Sequence, residues 1–251
     1  MLSLYRVFVL SFLTIASISA GFSQTSEPGS EEYFQELYKL TNERVDPNQR
    51  LLNGIYYENP YHDAIGHPFL NEGDFHQGSV IFQGTRFDQV RMKYDVYQQQ
   101  LLISPKADDP MMMILLSNEF LSEFYMGEAH FKKHPLDEEG NTFYQVIWEE
   151  EHIKCFYTWY RFRYKEVGEG AHTKFRFSDL KHNRYLEING KLSRYKNKGS
   201  FLKLIPREIK SQVKAYLKTN AIKLNTADME QIKAVLQYCQ KELSQTNMQI
   251  N

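Results

Sequence analysis

Cysteine is scarce in this 251-residue chain, where Cys155 and Cys239 are the only two. Two thiols exclude a disulfide-dense small scaffold, a four-cysteine metal site and a C-x-x-C redox motif. They read either as one disulfide closing a long loop, which would stabilise the fold by about 4 kcal/mol, or as separate small buried hydrophobes. Long apolar runs are missing after the first twenty residues, so no helical membrane span is expected beyond that point. Local catalytic signatures are missing as well: no G-x-S-x-G elbow, no H-E-x-x-H and no phosphate-cradling glycine loop occurs. Gly168-Glu169-Gly170 reads as a short loop. No catalytic residue and no cofactor is therefore expected. A hydrolase whose active site is assembled from distant residues leaves little local trace, and it stands as the alternative to a binding protein.

What is present begins with a leader. Arg6 precedes an apolar run from Val7 to Ala20, and the small residues that follow suit cleavage after Ala20 or Ser23. This reads as a secretory signal peptide over residues 1–23, with an exported mature chain that is periplasmic, outer-membrane-associated or secreted.

Tyr and Phe number 17 each, against 2 Trp and 8 Met, and this aromatic enrichment favours β structure. The formal charge of −1 hides an asymmetry. Residues 24–151 carry 9 Lys+Arg against 23 Asp+Glu, a balance of −14, whereas residues 152–220 carry 17 against 5, a balance of +12. Either the basic half steers an anionic partner to its surface, or the two halves pack together and neutralise each other.

The spacing of residues predicts an α+β, mainly β fold: an antiparallel meander, barrel-like or sandwich, over residues 24–198, with a helical subdomain at 199–251 packed on it. A short N-terminal helix is expected over Glu31–Leu40 behind Ser30, and a polar turn over Asn42–Asn48. Strands are expected at Ser79–Gln83, then at a run with Val90, Met92 and Tyr94 on one face, and at Gln98–Ser104 and Met111–Ser117. Further strands are expected at Phe143–Trp148, Ile153–Lys165, Lys174–Ser178, Arg184–Ile188 and Leu192–Lys196, with Asn189-Gly190 as a hairpin turn. After Gly199 the period becomes helical. Ser200 is expected to cap a turn, Pro206 to open a helix that ends at Asn220, and Asn225 or Thr226 to cap a last helix. Met229, Ile232, Leu236, Cys239 and Leu243 form the stripe of that helix, with a frayed tail after Ser244.

Few residues suggest chemistry. His62, Asp63, His67, Asp74 and His76 are ligand types within fifteen residues, but their spacing fits no metal motif, so no metal is expected. Asp108-Asp109 and Glu149 to Glu151 read as solvated turn acids. Arg161, Arg163, Lys174 and Arg176 form the candidate binding patch, gathered on one side of a sheet if alternation holds, with an anionic envelope component as the expected partner. Interleaved aromatics would also suit nucleic acid, which an export signal argues against.

The order Asn53-Gly54-x-x-Tyr57, Gly66-x-Pro68-Phe69, Gly78-Ser79-Val80, Gly84-x-x-Phe87 and Tyr94-Asp95-Val96-Tyr97 resembles a functionally unassigned family of secreted proteins from Gram-negative bacteria. Tyr185-Leu186-x-Ile188-Asn189-Gly190 and Lys198-Gly199-Ser200-Phe201-Leu202 fit the same resemblance. The resemblance implies export and no activity, and the motif residues, mostly turn glycines and aromatics, read physically as scaffold. Mass spectrometry of the protein from its native host should find an N-terminus between Gly21 and Thr25; an intact Met1 would refute the leader.

Overall fold

The computed structural model describes Tyr33, Leu51 and residues 54–71, 73–105, 112–137, 140–167 and 173–250. The leader, the expected Glu31–Leu40 helix apart from a helical Tyr33, the Asn42–Asn48 turn and the Asp108-Asp109 pair lie outside the described residues. Asp46–Asn251 is one compact unit.

Its strands are β1 (Ile55–Tyr56), β2 (Ala64–Ile65), β3 (His76–Phe82), β4 (Thr85–Asp95), β5 (Gln100–Ser104), β6 (Ile114–Leu115), β7 (Leu121–Met126), β8 (Ala129–Lys133), β9 (Phe143–Glu149), β10 (Ile153–Tyr160), β11 (Arg163–Val167), β12 (Thr173–Phe177), β13 (Lys181–Ile188) and β14 (Lys191–Tyr195). Among the described residues they build an eleven-stranded sheet in the order β1-β6-β5-β4-β3-β7-β8-β9-β10-β13-β14 and a three-stranded sheet in the order β11-β12-β2. The large sheet is antiparallel throughout, and β2 joins β12 in parallel. Three helices follow: α1 (Lys198–Leu204), α2 (Arg207–Thr219) and α3 (Met229–Ile250). The class is α+β, mainly β, as expected. The barrel does not close, because β1 and β14 remain as edges.

Glycines mark the central strand for different reasons. A Cβ on Gly78 would lie 1.7 Å from the Tyr125 carbonyl oxygen, so this position of β3 admits no side chain against β7. Gly84, by contrast, has φ +72 beside Gln83 at φ 51, which turns β3 tightly into β4. Asn189 at φ 52 and Gly190 at φ 71 turn β13 into β14 in the same way, at the dipeptide expected to do so. On β4 the alternation holds: Val90, Met92 and Tyr94 are buried.

The large sheet curls on itself. β4 and β9 are separated by β3, β7 and β8, a path of about 19 Å in a flat sheet, yet the rings of Tyr94 and Phe143 are 6.1 Å apart. Tyr94, Phe124, Phe131 and Phe143 form one aromatic cluster, with Phe124 and Phe131 stacked at 4.8 Å. Gln99 braces the curl from the β4–β5 turn by donating to the carbonyls of Val96 and of Trp159 on β10.

A second core joins the helices to β9, β10, β13 and β14. Cys155 and Cys239 are free thiols within it, and burial pushes each up to about 12, so they act as small hydrophobes. Asn197, and not Ser200, is the N-cap of α1; Ser200 completes a reciprocal capping box at the third helical position. The cap of α3 likewise falls on Asp228, whose carboxylate accepts from the Gln231 amide, rather than on Asn225 or Thr226. That helix continues to Ile250, past the expected end of order at Ser244.

The expected strand Ile153–Lys165 is in fact two. The chain leaves the large sheet after Tyr160, and the Arg161 guanidinium fixes the corner by donating to the carbonyls of Phe69 and Ser178. Beyond the corner, β11 and β12 belong to the small sheet. In α3, Ile232, Val235, Leu236, Cys239 and Leu243 are buried, and Leu236 is 1% exposed. Leu236→Ala should therefore lower unfolding stability by roughly 2 to 5 kcal/mol in denaturant titration; an unchanged midpoint would show that the stripe carries no load.

Candidate functional site

The register of the small sheet divides the residues expected to form one basic patch. Arg163 lies opposite Phe177 and Lys165 opposite Phe175, whereas Tyr164 pairs with Arg176 and Glu166 with Lys174. Directly opposed residues share a face, so Arg163 is on one side of this sheet and Lys174 with Arg176 on the other. Arg163 stacks over Phe175 at 4.4 Å and Tyr61 at 5.4 Å. Arg176 donates to Glu166 at 2.7 Å, which compensates its charge. Arg161 is spent on backbone carbonyls, and Lys174 is exposed. The four cations are therefore not gathered on one surface.

A different set of cations does converge. β14 ends at Tyr195 opposite Arg184, so Lys181, His182 and Asn183 of β13 pair only with β10 among the described residues. Where β14 peels away, a notch of about 490 Å³ opens, lined by Lys181, Arg184, Arg194 and Lys196 together with Tyr160, His182 and Asn225. No carboxylate lines it, and none of these four cations forms an ion pair with Asp or Glu among the described residues.

Arg184 is held in place by three acceptors. It donates to the carbonyls of Leu224 and Asn225 and, from Nε, to His182 Nε2 at 3.0 Å. That last bond requires an unprotonated Nε2. Burial, and then the Arg184 charge, hold the His182 pKa below its ordinary value, and its ring stacks on Tyr157 at 4.8 Å. Arg194 donates to Asn183 Oδ1, and Lys181 lies 4.7 Å from the Phe162 ring centroid. The result is a concave site with fixed positive charge and a neutral imidazole.

Among the described residues no three His, Cys, Asp or Glu side chains are placed to hold a metal ion. His67 Nδ1 accepts from the Phe69 amide, and His76 Nε2 meets the Asn71 side-chain amide at 2.8 Å. Glu149 pairs with Lys132 and Lys154.

The Tyr94-Asp95-Val96-Tyr97 box holds an ionisable group that charge patterning did not single out. Asp95 is fully buried at the end of β4, where Oδ1 accepts from the amides of Tyr97 and Gln98 and so shapes the β4–β5 turn. Its Oδ2 and the buried Tyr57 hydroxyl have no partner among the described residues. Tyr97 makes edge contacts with Tyr61 and Phe177, which tie this turn to β12. The box is scaffold, with a carboxyl inside it.

No protein-family model, curated protein or solved structure matches this chain.

Burial raises the Asp95 pKa from 3.8 to about 6, against the opposing pull of the two amide donors. Between those values the folded state holds a proton that the unfolded chain releases, so this residue's contribution is full below pH 4 and falls as pH rises through 6. Its span is roughly 3 kcal/mol. Asp95→Asn keeps the turn acceptor without the ionisation. The Tm difference, variant minus wild type, should climb from pH 4 to pH 7; a difference that stays flat would remove Asp95 as the titrating group.

Proposed function

We propose that this chain is an exported, envelope-associated binding protein that holds an anionic polysaccharide in the β13–β14 notch. The observation that carries this reading is the convergence of Lys181, Arg184, Arg194 and Lys196 on one concavity without a carboxylate in its lining. Polyanions with repeated charge suit such a site, since each anionic group displaces solvent from a cation that has no carboxylate partner among the described residues. The leader at Arg6 to Ala20 supports export. The resemblance to secreted proteins of Gram-negative bacteria points the same way.

The experiment is binding of the mature chain to alginate and to lipopolysaccharide at low and high salt. Lys181→Ser/Arg194→Ser alters exposed side chains of the notch and leaves the Arg184 anchor intact. Lys174→Ser/Arg176→Ser alters the small sheet as a control. Binding should weaken about tenfold or more in the first variant, remain in the second, and fade with salt because exposed charges are screened beyond about 8 Å. Loss confined to the small-sheet variant, or no binding to either polyanion at low salt, would overturn the reading.

A further inference from the structure

A second concavity lies where the end of β9 meets α2 and α3, and its chemistry differs from that of the notch. It measures about 570 Å³ and is lined by Trp148 and Glu150 of the β9 end, Tyr216 of α2, and Gln237, Tyr238 and Lys241 of α3. Tyr216 and Tyr238 stack at 4.2 Å with their planes 12° apart, a rigid aromatic slab beside the Trp148 indole. The indole Nε1–H is buried and has no acceptor among the described residues.

The groups around the aromatic slab are polar and balanced in sign. Glu150 and Lys241 offset each other's charge, and Gln237 is exposed. Gln240 accepts from the His152 amide through Oε1, which leaves its Nε2 hydrogens as donors. A lipid or an apolar peptide would cover these groups without satisfying them. A polyanion gains no net attraction from one carboxylate and one ammonium. A pyranose ring fits both halves of the site: its C–H face lies on aromatic carbon, and its equatorial hydroxyls meet amide, carboxylate and ammonium groups in directional bonds.

We infer that the Trp148–Tyr216–Tyr238 groove is a binding site for a neutral oligosaccharide, separate from the anion notch and independent of it. Trp148 and Trp159 are the only tryptophans, which supplies the readout. In a Trp159→Phe background, the emission of the full mature chain reports on Trp148 alone. Titration with cellohexaose, chitohexaose and maltohexaose should give a saturable emission change for at least one of them. Calorimetry on the unsubstituted chain should give the same Kd, and that Kd should be insensitive to salt, unlike the notch. Gln237→Ala, at an exposed position, and Tyr238→Ala should each weaken binding, the latter by about tenfold. Near-ultraviolet circular dichroism checks that each variant retains the fold. Emission and heat that stay flat for all of these sugars would overturn the assignment, as would affinity unchanged in both variants. Binding that is lost in Lys181→Ser/Arg194→Ser and kept in Tyr238→Ala would place the saccharide in the notch instead and overturn it equally.

Discussion

The strands from β3 to β8 must bury an apolar face away from the helices, whose main strand contacts are with β9, β10 and β14. They do so by curling, and the aromatic cluster of Tyr94, Phe124, Phe131 and Phe143 is the point at which one part of the face meets another. Much else depends on that closure. It sets the β4–β5 turn against β10 through Gln99, and it buries Asp95 deeply enough to raise its pKa. Tyr97, carried on the same turn, meets Phe177 of the small sheet. A ring lost from this cluster would leave a void that neighbours cannot fill without loosening the curl, because interiors are packed as tightly as crystals.

The legible parts of the fold were those where one period and one punctuation mark coincided. β4 alternates from Val90 to Tyr94, Asn189-Gly190 closes a hairpin, and the α3 stripe repeats at steps of three and four. β7 and β8 were not anticipated, since Glu123, His130 and Lys132 interrupt their apolar residues, although Gly127 at φ 59 does mark the turn between them. The single long strand through Arg161 was wrong in sequence terms for a reason that only tertiary structure supplies: the carbonyls that hold the Arg161 corner come from Phe69 and Ser178.

The excess of Lys and Arg after His152 was visible as composition, but which of those cations act together depends on register and on where a strand ends. Arg163 and Arg176 sit thirteen residues apart and fall on opposite faces because Tyr164, not Arg163, is the partner of Arg176. Lys181 and Lys196 meet at one notch because β14 stops one pair short of Asn183. Neither fact has a local signal. The aromatic groove is harder still to read, since Trp148, Tyr216 and Tyr238 come from a strand and two helices.

The strand order has a kinetic meaning as well as a static one. From β3 the sheet grows outward in two arms, and most neighbours in each arm are joined by a hairpin or a short loop. The pairing of β3 with β7 is the seam between them, joining Val80 to Phe124 across β4, β5 and β6. Within the large sheet, loop-closure entropy is concentrated there, at β1 with β6, and at the insertion between β10 and β13, while its remaining pairings are local; the small sheet adds the long-range pairing of β2 with β12. Each arm is thus a zipper that extends strand by strand, and Gly78, which admits β7 so closely against β3, sits at the tooth where the two zippers are fastened.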